Sequence, residues 1–96
     1  MLFAILCTDK PDSAALRAAT RPAHLDYLKS HADRLVLAGP ILDADGTPRG
    51  SLLVVDLADR AAVEAFAAGD PYVAADLFRN TEINAYRAVF KDGQQA

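Results

Sequence analysis

The chain has one cysteine, Cys7, in 96 residues. That excludes an intrachain disulfide and any CxxC metal or redox motif, and it fits a reducing, cytoplasmic setting. Positive charge is scarce and scattered: 10 Lys and Arg stand against 13 Asp and Glu, a net charge of -3 with no basic run. A nucleic-acid groove is therefore not expected. Long apolar runs are missing as well. The stretch Leu2 to Cys7 lacks a basic leader and a cleavage-like segment, and it falls far short of the ~20 residues of a membrane span. It reads as a first strand, and no membrane association is expected. There is no GxSxG, no phosphate-cradling P-loop and no HExxH. The two histidines, His24 and His31, lie two helical turns or about 10 Å apart, and no cysteine cluster accompanies them. Neither a metal site nor a cofactor is expected. Asp43-Ala44-Asp45-Gly46 imitates part of a calcium loop, but its glycine is misplaced and no Glu follows at the twelfth position, so it reads as a hairpin turn.

What the chain does have is apolar content, 52 % of its residues, enough for the core of one domain spanning 1–96. A domain this small buries only about 60 to 65 % of its unfolded surface and gains from association. Met1 to Thr8 is apolar at both parities, the pattern of a strand covered on both faces. Lys10-Pro11-Asp12-Ser13 breaks it, with Asp12 or Ser13 able to cap a short helical turn through Arg17. Pro22 suits a first helical position, where its missing N–H has no acceptor to lose. This predicts a first main helix over Arg21 to Ala32, with Leu25, Leu28 and Ala32 on the sheet. Arg34 to Leu42 is the second strand, with Leu35, Leu37 and Ile41 on one face. Asp43 to Pro48 is the turn into a third strand, Gly50 to Leu57. Ala58-Asp59 opens a second helix that Gly69 ends. A short helical piece follows Asp70-Pro71 toward Phe78, and Thr81 to Phe90 is the last strand.

The order β, α, β, β, α, β is the ferredoxin-like, split βαβ arrangement of an α+β fold, with helices on one face of a four-stranded, mainly antiparallel sheet. Two helices cover one face, yet three strands are apolar on both. An uncovered apolar sheet is an aggregation hazard. A second copy is the economical cover, giving a homodimer in which two sheets meet as a dimeric α+β barrel.

Few side chains are placed for chemistry. In the first turn of the predicted helix, His24 would feel the positive end of the helix dipole, which favours the neutral imidazole and hence a base. Position alone is served as well by a half-buried boundary histidine, and His31 reads as a solvated helix end. Pro71 holds Asp70 extended, so the carboxylate is aimed by stiff backbone. Local sequence first suggests a helix cap there, a role compatible with orienting a histidine, because an acid that accepts backbone N–H bonds stays ionised. Ser51 follows Gly50, where a missing side chain lets a ligand or another backbone come close. Gly39-Pro40 interrupts the second strand and suggests a bulge or an edge opening a pocket wall. Arg21 and Tyr72 are further candidates to bound that pocket, a solvated arginine and a turn-packing tyrosine being the plainer readings.

Met1-Leu2-Phe3-Ala4-Ile5, Arg21-Pro22-Ala23-His24-Leu25, Ala38-Gly39-Pro40, Gly50-Ser51 and Asp70-Pro71-Tyr72-Val73-Ala74-Ala75 occur in one order along the chain. On these segments the chain resembles the YciI-like (YCII-related) family over essentially its whole length. The resemblance implies a ferredoxin-like fold that dimerises as an α+β barrel, architecturally related to muconolactone isomerases. It also implies a pocket holding a histidine and an aspartate, here His24 and Asp70, with the strand-three serine, here Ser51, close by. One branch of the family includes a dehydrochlorinase acting on chlorinated hydroxyquinols. The hairpin between the second and third strands looks shorter here than in many relatives. The expected function is a cofactor-independent lyase or isomerase of a small aromatic or lactone-like molecule. In it His24 moves a proton, Asp70 holds the imidazole and Ser51 donates to a developing oxyanion. The alternative is a non-catalytic dimeric module that binds a small ligand or regulates a partner. Topology alone sets His24 and Asp70 apart, because the start of one crossover helix and the end of its parallel neighbour are distant. Their meeting requires the Asp70-Pro71 segment to fold back.

Overall fold

Strand parity decides which side chains face the helices and which do not. A computed structural model describes residues Met1–Ala96, with the elements β1 (Leu2–Asp9), α1 (Ala14–Ser30), a 3-10 turn (Ala32–Arg34), β2 (Leu35–Leu42), β3 (Pro48–Asp56), α2 (Arg60–Ala68), α3 (Pro71–Ala74), β4 (Phe78–Tyr86), and the short pair β5 (Phe90–Lys91) and β6 (Gln94–Gln95). The first four strands form one sheet in the order β2-β3-β1-β4 with every neighbouring pair antiparallel, the ferredoxin-like α+β arrangement. Phe3, Ile5 and Cys7 of β1 sit opposite Val55, Leu53 and Ser51 of β3 and opposite Ala85, Ile83 and Thr81 of β4. This parity faces the helices, and its apolar members pack with Leu28 of α1 and Val63 and Phe66 of α2 into the core. Each such side chain contributes ~1.5–3 kcal/mol by leaving water. No helix is long and apolar enough to cross a membrane.

The other parity carries Ala4 and Leu6 of β1 opposite Val54 and Leu52 of β3. Leu6 is 37 % exposed there, and Leu37 of the edge strand β2, paired with Val54, is 50 % exposed. Leu35 and Leu37 were expected on one face. A register shift between them puts Leu35 with Val55 on the helix side and Leu37 with Val54 on the open side, because a bulge inserts one residue and inverts the parity beyond it. Gly39-Pro40 carries no bulge. Pro40 pairs with Ser51 at the sheet edge, where a strand tolerates a residue without an N–H.

Two helical expectations need correction. The first helix begins at Ala14, not Arg21, and runs unbroken through Pro22. Pro22 gives up the bond its N–H would have made to the Ala18 carbonyl, and tertiary contacts of Arg17, described below, hold the extra turns in place. His24 is therefore mid-helix, beyond the reach of the dipole, which fades within the first turn. The last strand begins at Phe78 and ends at Tyr86, earlier at both ends than expected. The short helix stops after Ala74, and Asp76 reverses the chain with φ +60°. Asp59 and Asp70 cap their helices, accepting from the backbone N–H of Ala62 and Tyr72 respectively.

Cys7 is 5 % exposed, and Thr81 Oγ1 donates toward its sulfur at 3.8 Å. Burial pushes the thiol from its ordinary 9.0 up to about 11, the Thr81 contact opposing this in part. A thiol that keeps its proton longer folded than unfolded stabilises the fold fully below pH 9, and that contribution drains away as pH rises through 11. The loss is on the order of 2 to 3 kcal/mol. Urea unfolding at pH 8 and at pH 11 should show a steeper decline for the wild type than for Cys7→Ala. Equal declines would remove the thiol as the cause.

Candidate active site

Arg17, Arg21, His24 and Leu28 recur at spacings of four, three and four residues, so α1 shows all of them on one face. They border a cavity of about 270 Å³ that Gly39, Pro40 and Tyr72 also line. Such a volume admits a small, single-ring molecule and lies near the low end of ligand pockets, ~300–1,000 Å³.

His24 and Asp70 meet directly, His24 Nδ1 lying 2.9 Å from Asp70 Oδ1. Both are buried, 8 % and 5 % exposed. The meeting arises because α1 starts seven residues early and α3 packs against it. The same Asp70 oxygen accepts from the Tyr72 backbone N–H at 2.9 Å, so one carboxylate both caps α3 and holds the imidazole. An ionised carboxylate only accepts, which assigns the proton to His24 Nδ1 and leaves Nε2 as the basic nitrogen. Nε2 has no partner within the chain, and no fully buried side-chain nitrogen or oxygen is left unpartnered. His24 lines the cavity, and Nε2 is its nitrogen left free of protein partners. The Tyr72 ring stacks on the imidazole, centroids 4.0 Å apart and planes 21° from parallel. Hydrogen bond and stacking together fix the orientation of His24.

The second constellation centres on Arg17. Its Nε donates to Asp9 Oδ2 at 2.7 Å, and its Nη2 donates to Asp9 Oδ1 and to Ser51 Oγ, both at 2.9 Å. The guanidinium carbon lies 4.8 Å from the Tyr72 ring centroid, so Tyr72 is bordered by Arg17 as well as by His24. Burial works against the charge of Arg17, but the hydrogen bonds and charge of Asp9 outweigh it and raise the pKa above the ordinary arginine value. Burial also raises the Tyr72 phenol, the charge of Arg17 opposing it in part. Tyr72 stays a neutral hydroxyl at neutral pH.

Of the residues singled out in the sequence, His24, Arg21, Tyr72, Gly39 and Pro40 border one cavity, and Asp70 stands directly behind His24. Ser51 is 3 % exposed, accepts from Arg17, and is not among the residues lining the cavity. Asp9 and Arg17 were missed, because a helix read from Arg21 leaves Arg17 outside it. The four, three, four spacing was the signal that pointed to Arg17. His31 is no solvated end: half-buried, it packs on Tyr27 and Phe66, and its Nδ1 lies 2.9 Å from the Tyr27 carbonyl.

The chain is similar to known proteins over most of its length. The protein YciI of Escherichia coli is 35 % identical over 94 % of this chain and its own full length. An uncharacterized protein of Haemophilus influenzae is 30 % identical over the same shares. Among solved structures, a 5-chloro-2-hydroxyhydroquinone dehydrochlorinase, TftG of Burkholderia phenoliruptrix, in complex with 2,5-dihydroxybenzoquinone, superposes with a TM-score of 0.86. It is 32 % identical, covering 91 % of this chain and 94 % of that one. A solved structure from Bacteriodes thetaiotaomicron shares the fold alone, with a TM-score of 0.60 at 11 % identity over 96 % of this chain and 91 % of its own. The YCII-related domain model matches residues 1–87, a span that takes in β1 through β4 and every side chain of both constellations, and the chain belongs to that family.

Proposed function

We propose that this protein is a cofactor-independent lyase or isomerase of a small aromatic or lactone-like molecule, with His24 as the proton-transfer residue. The observation that carries the reading is the His24–Asp70 hydrogen bond at the wall of a small cavity that His24 lines; with Nδ1 engaged by Asp70, Nε2 is the nitrogen left to exchange a proton. In the forward step Nε2 takes a proton from the bound molecule, and Asp70 stabilises the imidazolium that forms. Return of that proton to another atom completes an isomerisation. Departure of an anion such as chloride instead completes an elimination of HCl, with no change of redox state and no external electron acceptor. The likeness to a dehydrochlorinase supports the second route. Arg21, Tyr72, Gly39 and Pro40 hold the ligand. Ser51 acts through Arg17, whose Nη2 it accepts. The test is a panel of chlorinated phenols, hydroxyquinols and lactones, followed by chloride release and absorbance, with the wild type beside His24→Gln. Ligand binding without turnover, equal in both proteins, would overturn the catalytic reading in favour of a binding module.

We propose further that two copies pair through the open sheet face. Leu6 and Leu37 present apolar surface there that no helix of the chain covers. Light scattering during size-exclusion chromatography should give twice the chain mass for the wild type and a monomer for the Leu6→Asp/Leu37→Asp variant. Both positions are exposed within one chain, so the monomer should keep its helical circular dichroism. A monomeric wild type at micromolar concentration would remove the dimer.

A further inference from the structure

His24, Tyr27 and His31 recur at spacings of three and four residues, so one face of α1 carries all three. His24 meets Asp70 from that face, and one turn further on Tyr27 meets the segment that delivers Asp70. The Tyr27 hydroxyl donates to the carbonyl of Phe66, in the last turn of α2, at 2.8 Å. Burial first, and the charge of Asp70 after it, raise the phenol above its ordinary value, so the hydroxyl keeps its proton and donates at neutral pH. Gly69 alone joins the end of α2 at Ala68 to Asp70, the cap of α3. Its φ of -82° is open to any residue, so the backbone does not call for glycine there. Tyr27 does: a Cβ on Gly69 would stand 2.5 Å from the hydroxyl oxygen, with Cζ and Cε1 of the ring at 3.1 and 3.3 Å.

The backbone bonds of this corner are long. Gly69 N–H reaches the Ala65 and Phe66 carbonyls at 3.2 and 3.3 Å, and Asp70 N–H reaches the Ala67 carbonyl at 3.3 Å, against the ~2.9–3.0 Å commonest for N–H···O bonds. The Tyr27 bond is the short one. Its ring is held in turn, stacked on Phe66 with centroids 5.4 Å apart and packed on His31 at 4.4 Å.

We propose that Tyr27 is the positioning residue of the pair: its hydroxyl clasps the corner between α2 and α3 to the helix that carries His24, and so sets the angle at which Asp70 meets the imidazole. The inference deepens the acid/base reading, on which its catalytic meaning rests. A hydrogen bond weakens steeply as its angle closes, and Asp70 and His24 stand on different elements. Tyr27 refers both partners to one helix.

The 15N shifts of the two His24 ring nitrogens, assigned against His24→Gln, read which nitrogen carries the proton. At pH 8 the wild type should carry it on Nδ1, the tautomer that Asp70 selects. Tyr27→Phe keeps the ring between Phe66 and His31 and removes only the hydroxyl, so its circular dichroism should match the wild type. Its His24 should show both tautomers, and the Nδ1–H proton should exchange with water about tenfold faster, the factor carried by one hydrogen bond of ordinary net strength. On a panel member that turns over, kcat should fall about 3- to 10-fold with KM within about twofold, since Tyr27 is not among the residues lining the cavity. Gly69→Ala expels the hydroxyl from the other side and should give the same tautomer mixture. Tyr27→Phe/Gly69→Ala should lose no more than the worse single variant, as two changes that break one contact do, and additive losses overturn the clasp. Ring-nitrogen shifts that stay at their wild-type values in Tyr27→Phe overturn the proposal and leave the acid/base reading standing. Where the mixture appears but His24→Gln still turns substrate over, the acid/base reading fails and the positioning of the pair stands.

Discussion

Replacing His24 by glutamine should lower turnover by about 10²- to 10⁴-fold, with the fold intact. Glutamine can still donate to Asp70 Oδ1, so the variant keeps a partner for the buried carboxylate and loses only the titratable nitrogen left free of protein partners. Asp70 divides the effect further. In Asp70→Asn the amide oxygen can accept from both Tyr72 N–H and His24 Nδ1–H, as the carboxylate does, so cap and imidazole orientation survive while the negative charge is gone. Asp70→Ala removes the charge, the orientation and the cap, the last costing about 1 kcal/mol. The expected order of kcat is wild type, Asp70→Asn, Asp70→Ala, His24→Gln, read by steady-state kinetics on whichever panel member turns over. A His24→Gln protein within threefold of the wild type would sink the histidine as the base. An Asp70→Asn protein at the wild-type rate would show that orientation matters and charge does not.

The sheet was legible because strand parity is a short-range signal: Phe3, Ile5 and Cys7 alternate with Leu2, Ala4 and Leu6, and the Asp43 to Pro48 turn fixes which strands neighbour each other. The opening of α2 at Asp59 and the Asp70 cap were legible for the same reason, since both act on the next few residues, whereas Ser13 makes no side-chain cap at the start of α1. The start of α1 was not. Pro22 reads locally as a helix start, and the contacts that carry the helix back to Ala14 join Arg17 to Asp9 on β1 and Ser51 on β3, partners that no window along the chain reveals. That one boundary misplaced His24 at a helix terminus and hid Arg17. The β2 bulge inverted Leu37 for a similar reason, because register belongs to the pair of strands and not to either one. His24 and Asp70 were picked out from their sequence segments, while their contact follows from the packing of α3 under a helix longer than its local signals suggest.

Gly50→Ala should be among the most damaging single-methyl changes in the chain, lowering stability by about 3 kcal/mol or more. Gly50 lies in β3, a strand paired on both sides, opposite Thr8 of β1 and Ile41 of β2. A Cβ at this position would stand 2.3 Å from the carbonyl oxygen of Cys7, with the Cys7 carbonyl carbon at 3.5 Å and Thr8 Cα at 3.6 Å. The obstacle is backbone, so no rotamer relieves it and the β1–β3 ladder must part at this end. Among the alternatives left open by the sequence, it is another backbone and not a ligand that needs the missing side chain. A domain of this size loses about 4–8 °C of Tm per kcal/mol, which sets the expected drop at about 12–24 °C by circular dichroism. Gly39→Ala is the control: a Cβ there meets nothing within 4 Å, and the Tm should stay within a few degrees. The strain also reaches the site. Asp9 and Ser51 flank this stretch of the ladder and together hold Arg17, so a parted ladder in Gly50→Ala loosens Arg17 as well. An alanine variant with wild-type Tm would mean that β1 and β3 pair in a looser register than Cys7 opposite Ser51 requires.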